Sequence, residues 1–200
     1  PAEASLVILP GSKATIADLR ALRSEGWDID ILAHHRRGKP VLGICGGYQM
    51  LGQSIADPDG IEGAPETIRG LGLLHVETQL TLTKSLERVS GTIQGQSFEG
   101  YEMHVGVTTG PDCARPFAAL SGGRPDGAVS TDGQISGTYI HGLFASTEIR
   151  AAMLAEIGLQ SNREDYNLSV SRALDEIAEQ LEQHTDIDAM ITIARSSDPF

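Results

Sequence analysis

The segment Val41-Leu42-Gly43-Ile44-Cys45-Gly46-Gly47-Tyr48-Gln49-Met50-Leu51 constrains the fold more than any other. Its first four residues form a short apolar run without polar alternation, the pattern of a strand buried on both faces of a parallel sheet. Tyr48 to Leu51 reads as the first turns of a helix. Strand and helix are therefore joined at Cys45 with no loop between them. A free thiol has a pKa near ~8.5 and reacts as the thiolate. At a helix N-terminus the backbone N–H groups and the positive end of the dipole favour that anion. The bare glycines let a substrate carbonyl approach the backbone and free the Gly46 N–H to donate to an oxyanion. The arrangement parallels the nucleophile elbow of serine hydrolases.

The rest of the chain alternates in the same way. Leu6 to Leu9 is a second apolar run, closed by Pro10-Gly11. A helix is expected over 15–25, with Ile16, Leu19 and Leu22 on one face and Gly26 as its stop. A short helix near 28–37 leads to Pro40, and the helix after Cys45 is placed at 47–55. Residues 57–65 read as loop. From Gly70 to about Val107 the pattern turns to strands, with further short strands near 127–131 and 134–141. Ser146 or Thr147 caps a helix running to Gly158. Tyr166, Val170, Leu174, Ile177 and Leu181 lie at helical spacing and predict a docked amphipathic helix, with packing on the core favoured over the alternative that the tail forms a surface for a partner. A last helix is placed at 186–195. The expectation is one α/β domain over 1–200, with a core of about 5–160 and a helical tail of about 163–195.

Two hundred residues suffice for one well-buried core. A net charge of −12 argues against a nucleic-acid or anionic-membrane binder, since both need clustered Lys and Arg. The densest basic stretch, His34 to Lys39, reads as a solvated helix end. No apolar run approaches the ~20 residues that span a bilayer. Cys45 and Cys113 offer neither a disulfide framework nor metal-ligand spacing, so a reducing cytoplasm is expected, with no metal. Cys113 itself reads as an incidental loop residue.

Gly43-Ile44-Cys45-Gly46-Gly47-Tyr48-Gln49 resembles the nucleophile motif G-x-C-x-G-x-Q of class I glutamine amidotransferases. Four further stretches narrow the likeness to the C-terminal glutaminase domain of the cobyric acid synthases. They are residues 6–28, "GYEMHVG" at 100–106, "SGTYIHGLF" at 136–144 and "DIDAMITIA" at 186–194. The resemblance implies an open, mostly parallel sheet flanked by helices, of flavodoxin-like type. It also implies glutamine hydrolysis, the ammonia passing to an ATP-dependent synthetase domain that amidates adenosylcobyrinic acid a,c-diamide. On that likeness Cys45 is the nucleophile and His141 the general base. Oxyanion donors are the backbone of Gly46 and of the Pro10-Gly11-Ser12 turn, and Gln49 contacts the α-amino and α-carboxyl end of glutamine. His141 also fits on its own terms: a strand over 134–140 would end at it, beside Cys45, where open α/β sheets bind ligands. His104 is the rival base and a lining residue able to help hold glutamine.

Many class I glutaminases carry a glutamate two positions after the histidine; here it is Leu143, as in the cobyric acid synthase pattern. This motivates a Cys–His dyad without a carboxylate, with Glu102, Glu148 or a backbone carbonyl as the ring's possible partner. No phosphate loop of the form G-x-x-x-x-G-K-[ST] occurs, so ATP and Mg are expected in a synthetase domain outside this chain and no cofactor within it. The chain is read as the glutaminase half alone. The alternatives are a glutaminase subunit serving another acceptor such as lipid II, and a domain silent until docked to its synthetase partner.

Overall fold

The computed structural model describes residues 3–196. In chain order the elements are β1 (Val7–Leu9), α1 (Thr15–Ser24), α2 (Trp27–Arg36), β2 (Val41–Ile44), α3 (Gly46–Leu51), β3 (Ser54–Asp57), β4 (Glu66–Arg69) and β5 (Glu77–Ile93). They continue with β6 (Gln96–Thr109), β7 (Ala118–Leu120), β8 (Pro125–Asp126), β9 (Ala128–Val129), β10 (Ile135–Thr138) and β11 (Ile140–His141). Helices α4 (Thr147–Glu156), α5 (Tyr166–His184) and α6 (Ile187–Ser196) complete the described chain.

The strands form two sheets. The first runs β1-β2-β10-β9, with β1, β2 and β10 parallel and β9 antiparallel at its edge. This is the open, largely parallel sheet expected of an α/β chain. The second runs β11-β6-β5-β3-β4, with β7 paired to β5 and β8 to β7. It is antiparallel except where β3 joins β5. Its spine is the long β5–β6 hairpin, turned at Gln94-Gly95, where both residues have positive φ.

One core gathers around the first sheet, where Leu19, Val41, Tyr48, Leu51, Ile55 and Ile135 pack together. Fully burying a side chain of this size contributes about 1.5–3 kcal/mol. A second core joins Ile93, Phe98, Leu120, Ile140, Leu143 and Ile149. Leu143, the residue that replaces the familiar glutamate, is thus a core side chain beneath α4.

Several expectations are corrected. The helix after Cys45 ends at Leu51, and residues 54–57 form β3. Gly52 abuts the Val76 carbonyl, and Ile55 and Asp57 point inward from a strand paired with β4 and β5. The strand over 134–140 is two strands, because the chain leaves the first sheet after Thr138 and enters the second at Ile140. His34 is buried, its Nε2 3.1 Å from the Pro40 carbonyl, so the basic stretch is not wholly a solvated helix end. Cys113 lies in a 3-10 turn over Pro111–Ala114, its sulfur 3.8 Å from the Tyr48 hydroxyl. The amphipathic helix is present but not docked. Every residue of α5 except Ser169 is exposed, as is every residue of α6. Helical spacing shows that a face is apolar; it does not say what covers it.

Candidate functional site

Close packing makes the elbow. A β-carbon on Gly47 would lie 2.1 Å from the Leu9 carbonyl oxygen, one on Gly43 2.6 Å from the Gly47 oxygen, and one on Gly137 1.9 Å from the Tyr48 ring. Only bare backbone lets α3 sit this tightly over β1, β2 and β10. The turn falls on Cys45, whose φ of 53° and ψ of −112° are sparsely populated for a side-chain-bearing residue. Its N–H donates to the Thr138 carbonyl at 2.8 Å, and the Gly47 N–H donates to Pro10 at 3.1 Å. The strained residue is thereby tied to β10 on one side and to the Pro10-Gly11-Ser12 turn on the other.

That turn is built from a distance. The Asp57 carboxylate accepts from the Ile61 and Glu62 N–H groups at 2.8 Å each. Glu62 in turn accepts from the Ile16 N–H at 2.9 Å, capping the start of α1. The Ser12 hydroxyl accepts from the Ala14 N–H at 2.9 Å and donates to Asp18. The Asp57 and Glu62 supports come from a loop more than forty residues on, so local spacing gave no hint of them, whereas the Ser12 contacts are local.

His141 reaches the same place from the second sheet. A β-carbon at Gly11 would lie 3.3 Å from His141 Cε1 and 3.5 Å from Cys45 Cβ. The two side chains thus flank one carbon's width of space above Gly11. His141 Nε2 is buried and has no hydrogen-bond partner. The ring stacks on Tyr101, with centroids 5.1 Å apart and planes at 7°, because β11 pairs His141 with Tyr101 across the ladder. Gly100 permits this approach: a β-carbon there would meet the His141 carbonyl at 2.4 Å. Tyr101 escaped sequence reasoning because a cross-strand neighbour is invisible until the register is known.

The carboxylates considered as orienting partners are engaged elsewhere. Glu102 is buried and receives both Arg124 guanidinium nitrogens, at 3.1 and 2.6 Å. Glu148 is exposed at the start of α4 and accepts from Ser146 at 3.3 Å.

In the resting site the Cys45 thiol donates to the Met103 carbonyl at 3.2 Å. Burial raises the thiol's pKa, and the Gly46 N–H directed at the sulfur lowers it by less. The helix behind it is only six residues long, so its dipole is modest. The expected thiolate-favouring environment is therefore outweighed by desolvation. Beside the thiol, the buried nitrogen without a hydrogen-bond partner is His141 Nε2.

Gln49 lies beneath the elbow with its amide fully used. It donates to the Val105 carbonyl at 3.0 Å and to the Tyr139 hydroxyl at 3.2 Å, and accepts from Thr15 at 3.2 Å. His104 stacks on Tyr139 with centroids 3.8 Å apart, and its Nδ1 lies 3.1 Å from the Gly106 carbonyl. Burial lowers the His104 pKa. Cys45, Gly46, Gly11 and His141 thus meet at one point, while Gln49 and His104 form the layer around Tyr139 beneath and beside it. Among the described residues no cluster of three or more His, Cys, Asp or Glu side chains is placed to hold a metal ion. No described helix is long and apolar enough to cross a membrane.

Residues 1–149 match the model of the CobB/CobQ-like glutamine amidotransferase domain. A cobyric acid synthase from Rhizorhabdus wittichii is 58% identical over 196 residues, covering 98% of this chain and 40% of that protein. One from Novosphingobium aromaticivorans is 58% identical over 199 residues, covering 100% of this chain and again 40% of the relative. The chain thus spans about 40% of the length of the curated relatives it matches. A solved glutamine amidotransferase superposes with a TM-score of 0.53 at 16% identity, over 78% of this chain and 80% of that one, which speaks for the fold alone. With a family match across three-quarters of the sequence and relatives aligned end to end along it, the chain belongs to the family of CobB/CobQ-like glutamine amidotransferase domains.

Proposed function

We propose that this chain hydrolyses glutamine through Cys45 and His141, and that the ammonia is used by the remaining part of a cobyric acid synthase for ATP-dependent amidation of adenosylcobyrinic acid a,c-diamide. The observation that carries the reading is the juxtaposition, across Gly11, of a strained elbow cysteine with an imidazole whose buried Nε2 has no hydrogen-bond partner. The relatives named above support the acceptor over lipid II. A free thiol nucleophile suits a reducing compartment, so the cytoplasm is its place.

In this reading His141 Nε2 takes the thiol proton as Sγ bonds to the amide carbon of glutamine. The oxygen becomes an oxyanion held by backbone N–H groups of Gly46 and the Pro10-Gly11-Ser12 turn; losing one such donor typically costs roughly 10²–10³ in rate. His141 returns the proton to nitrogen, the C–N bond breaks, and ammonia leaves a Cys45 thioester. Water, deprotonated by the same imidazole, then releases glutamate and restores the thiol. His104 lines the wall that meets the rest of the substrate, and Gln49, buried with its amide engaged, braces that wall from beneath in place of the direct contact expected of it. ATP and Mg belong to the remaining part of the synthase.

A second feature favours conditional activity. The thiol rests on the Met103 carbonyl and must turn away from it before reacting. Docking of the synthetase part that reshapes β6 would speed that step. The test is glutamate release by this chain, by Cys45→Ser and by His141→Ala, with and without the remaining part of a cobyric acid synthase. Activity confined to the unaltered chain and raised by the partner is expected. A silent unaltered chain with partner present, and a Cys45 that a glutamine-analogue electrophile fails to label, would overturn the assignment.

A further inference from the structure

Helix α5 leaves an apolar stripe uncovered. Val170, Leu174, Ile177 and Leu181 follow each other at spacings of four, three and four, the rhythm of a seam made to meet another surface. They are 38, 60, 57 and 54% exposed. Met190 and Ile191 of α6 are exposed as well. The helix is nonetheless firmly started. The Asp165 carboxylate accepts from the Leu168 N–H at 3.0 Å, and the Glu164 carbonyl accepts from Arg150 of α4. A stripe of this regularity on a capped helix is a built face.

Two observations identify what covers it. The family match ends at residue 149, before α5 begins, so the tail is not part of the shared amidotransferase domain. Yet the cobyric acid synthases align along 98–100% of this chain, tail included, and their remaining 60% lies outside it. The tail therefore goes with the synthase and not with the domain in general. Charge argues against a second copy of this chain. Asp175, Glu176, Glu179 and Glu182 back and flank the stripe against Arg172 as the helix's only arginine or lysine, on a chain whose net charge is −12. Two such helices would bring carboxylates together, and an anionic membrane would repel them.

We propose that the Val170–Leu181 face of α5 docks into an apolar cleft, rimmed by Lys or Arg, on the part of the cobyric acid synthase chain outside these 200 residues. The proposal rests on the reading of the chain as the glutaminase part of that enzyme. It makes α5 the clamp that holds the ammonia-producing site in register with the amidating part.

The test compares hydrogen exchange in the isolated chain with that in a full-length chain, in which these 200 residues replace the matching segment of the Rhizorhabdus wittichii enzyme. Exchange across residues 168–184 should slow by about tenfold or more in the full-length chain. The paired change Leu174→Gln and Ile177→Gln preserves helix propensity and should restore fast exchange there, while β2 and β10 stay protected. Equal exchange in both proteins would overturn the proposal. So would protection that grows with the concentration of the isolated chain, which would indicate self-association, or protection that needs added anionic phospholipid vesicles. Glutamate release by the same full-length protein is read separately. Release with an unprotected α5 refutes the docking alone, and a protected α5 without release refutes the glutaminase reading alone.

Discussion

At the scale of single residues the site combines a thiol held neutral with an imidazole held in place by a ring. Because burial raises the Cys45 pKa, its alkylation by iodoacetamide in a Cys113→Ser background should be slow at neutral pH and still climbing past the ordinary thiol range. A rate that levels off near neutrality would show an activated resting thiolate instead. Tyr101→Ala removes the stacked face of His141 and should lower kcat roughly 10- to 100-fold with little change in KM, the scale of a small misplacement of a catalytic group. Tyr101→Phe should retain activity. Glu102→Gln and Glu148→Gln should keep most turnover, whereas a carboxylate that oriented the base would take away about 10³–10⁴-fold on removal. Steady-state kinetics decides each case. The elbow at Cys45 and Gly46 was legible because it is written in adjacent residues, and His141 could be placed beside it only because it ends an apolar run. Tyr101, Glu62 and Arg124 were not, since each acts across a strand pair or a long loop.

Between elements, the two sheets are strapped together by Asp126. Its carboxylate, on β8, accepts from the Thr138 hydroxyl and the Tyr139 N–H at the end of β10. Burial is the main cause that pushes its pKa up from the ordinary 3.8 to about 6. The fold therefore favours the protonated form. Its contribution is full below pH 3.8 and is lost as pH rises through about 6. Asp126→Asn, which cannot titrate, should lose less stability than the unaltered chain between pH 4.5 and pH 8 in urea unfolding. Gly137→Ala drives a methyl into the Tyr48 ring and should cost about 3 kcal/mol, the upper end for overpacking, seen as a fall in Tm. Periodicity located most elements, since amphipathic helices and apolar strands declare themselves locally. It misplaced the end of α3 and merged β10 with β11, because a two-residue exchange of sheets leaves no mark on an apolar pattern.

For the whole molecule, the structure separates a packed body from a tail that nothing in the described chain covers. A 19-residue helix without tertiary packing is marginal in water. In the isolated chain, α5 and α6 should be cut by limited proteolysis before the body is. A chain ending at Gly158 should keep its Tm within a few degrees; a collapse of the body on truncation would contradict the exposure of the tail. The sequence announced the tail's apolar face but favoured the core over a partner surface as its cover, because amphipathicity encodes a demand for burial and not its address. The body carries a further consequence. Cys45 ends a strand of one sheet, and His141 is borne by the other. Their separation is therefore an angle between layers, which no adjustment within either layer corrects. Natural variation at the seam should follow a volume-for-volume rule. A larger side chain at Tyr139 or Ile140 survives only with a smaller one facing it, even where melting temperature would tolerate the change. Turnover, and not stability, should then set the limit on substitution at these two core positions.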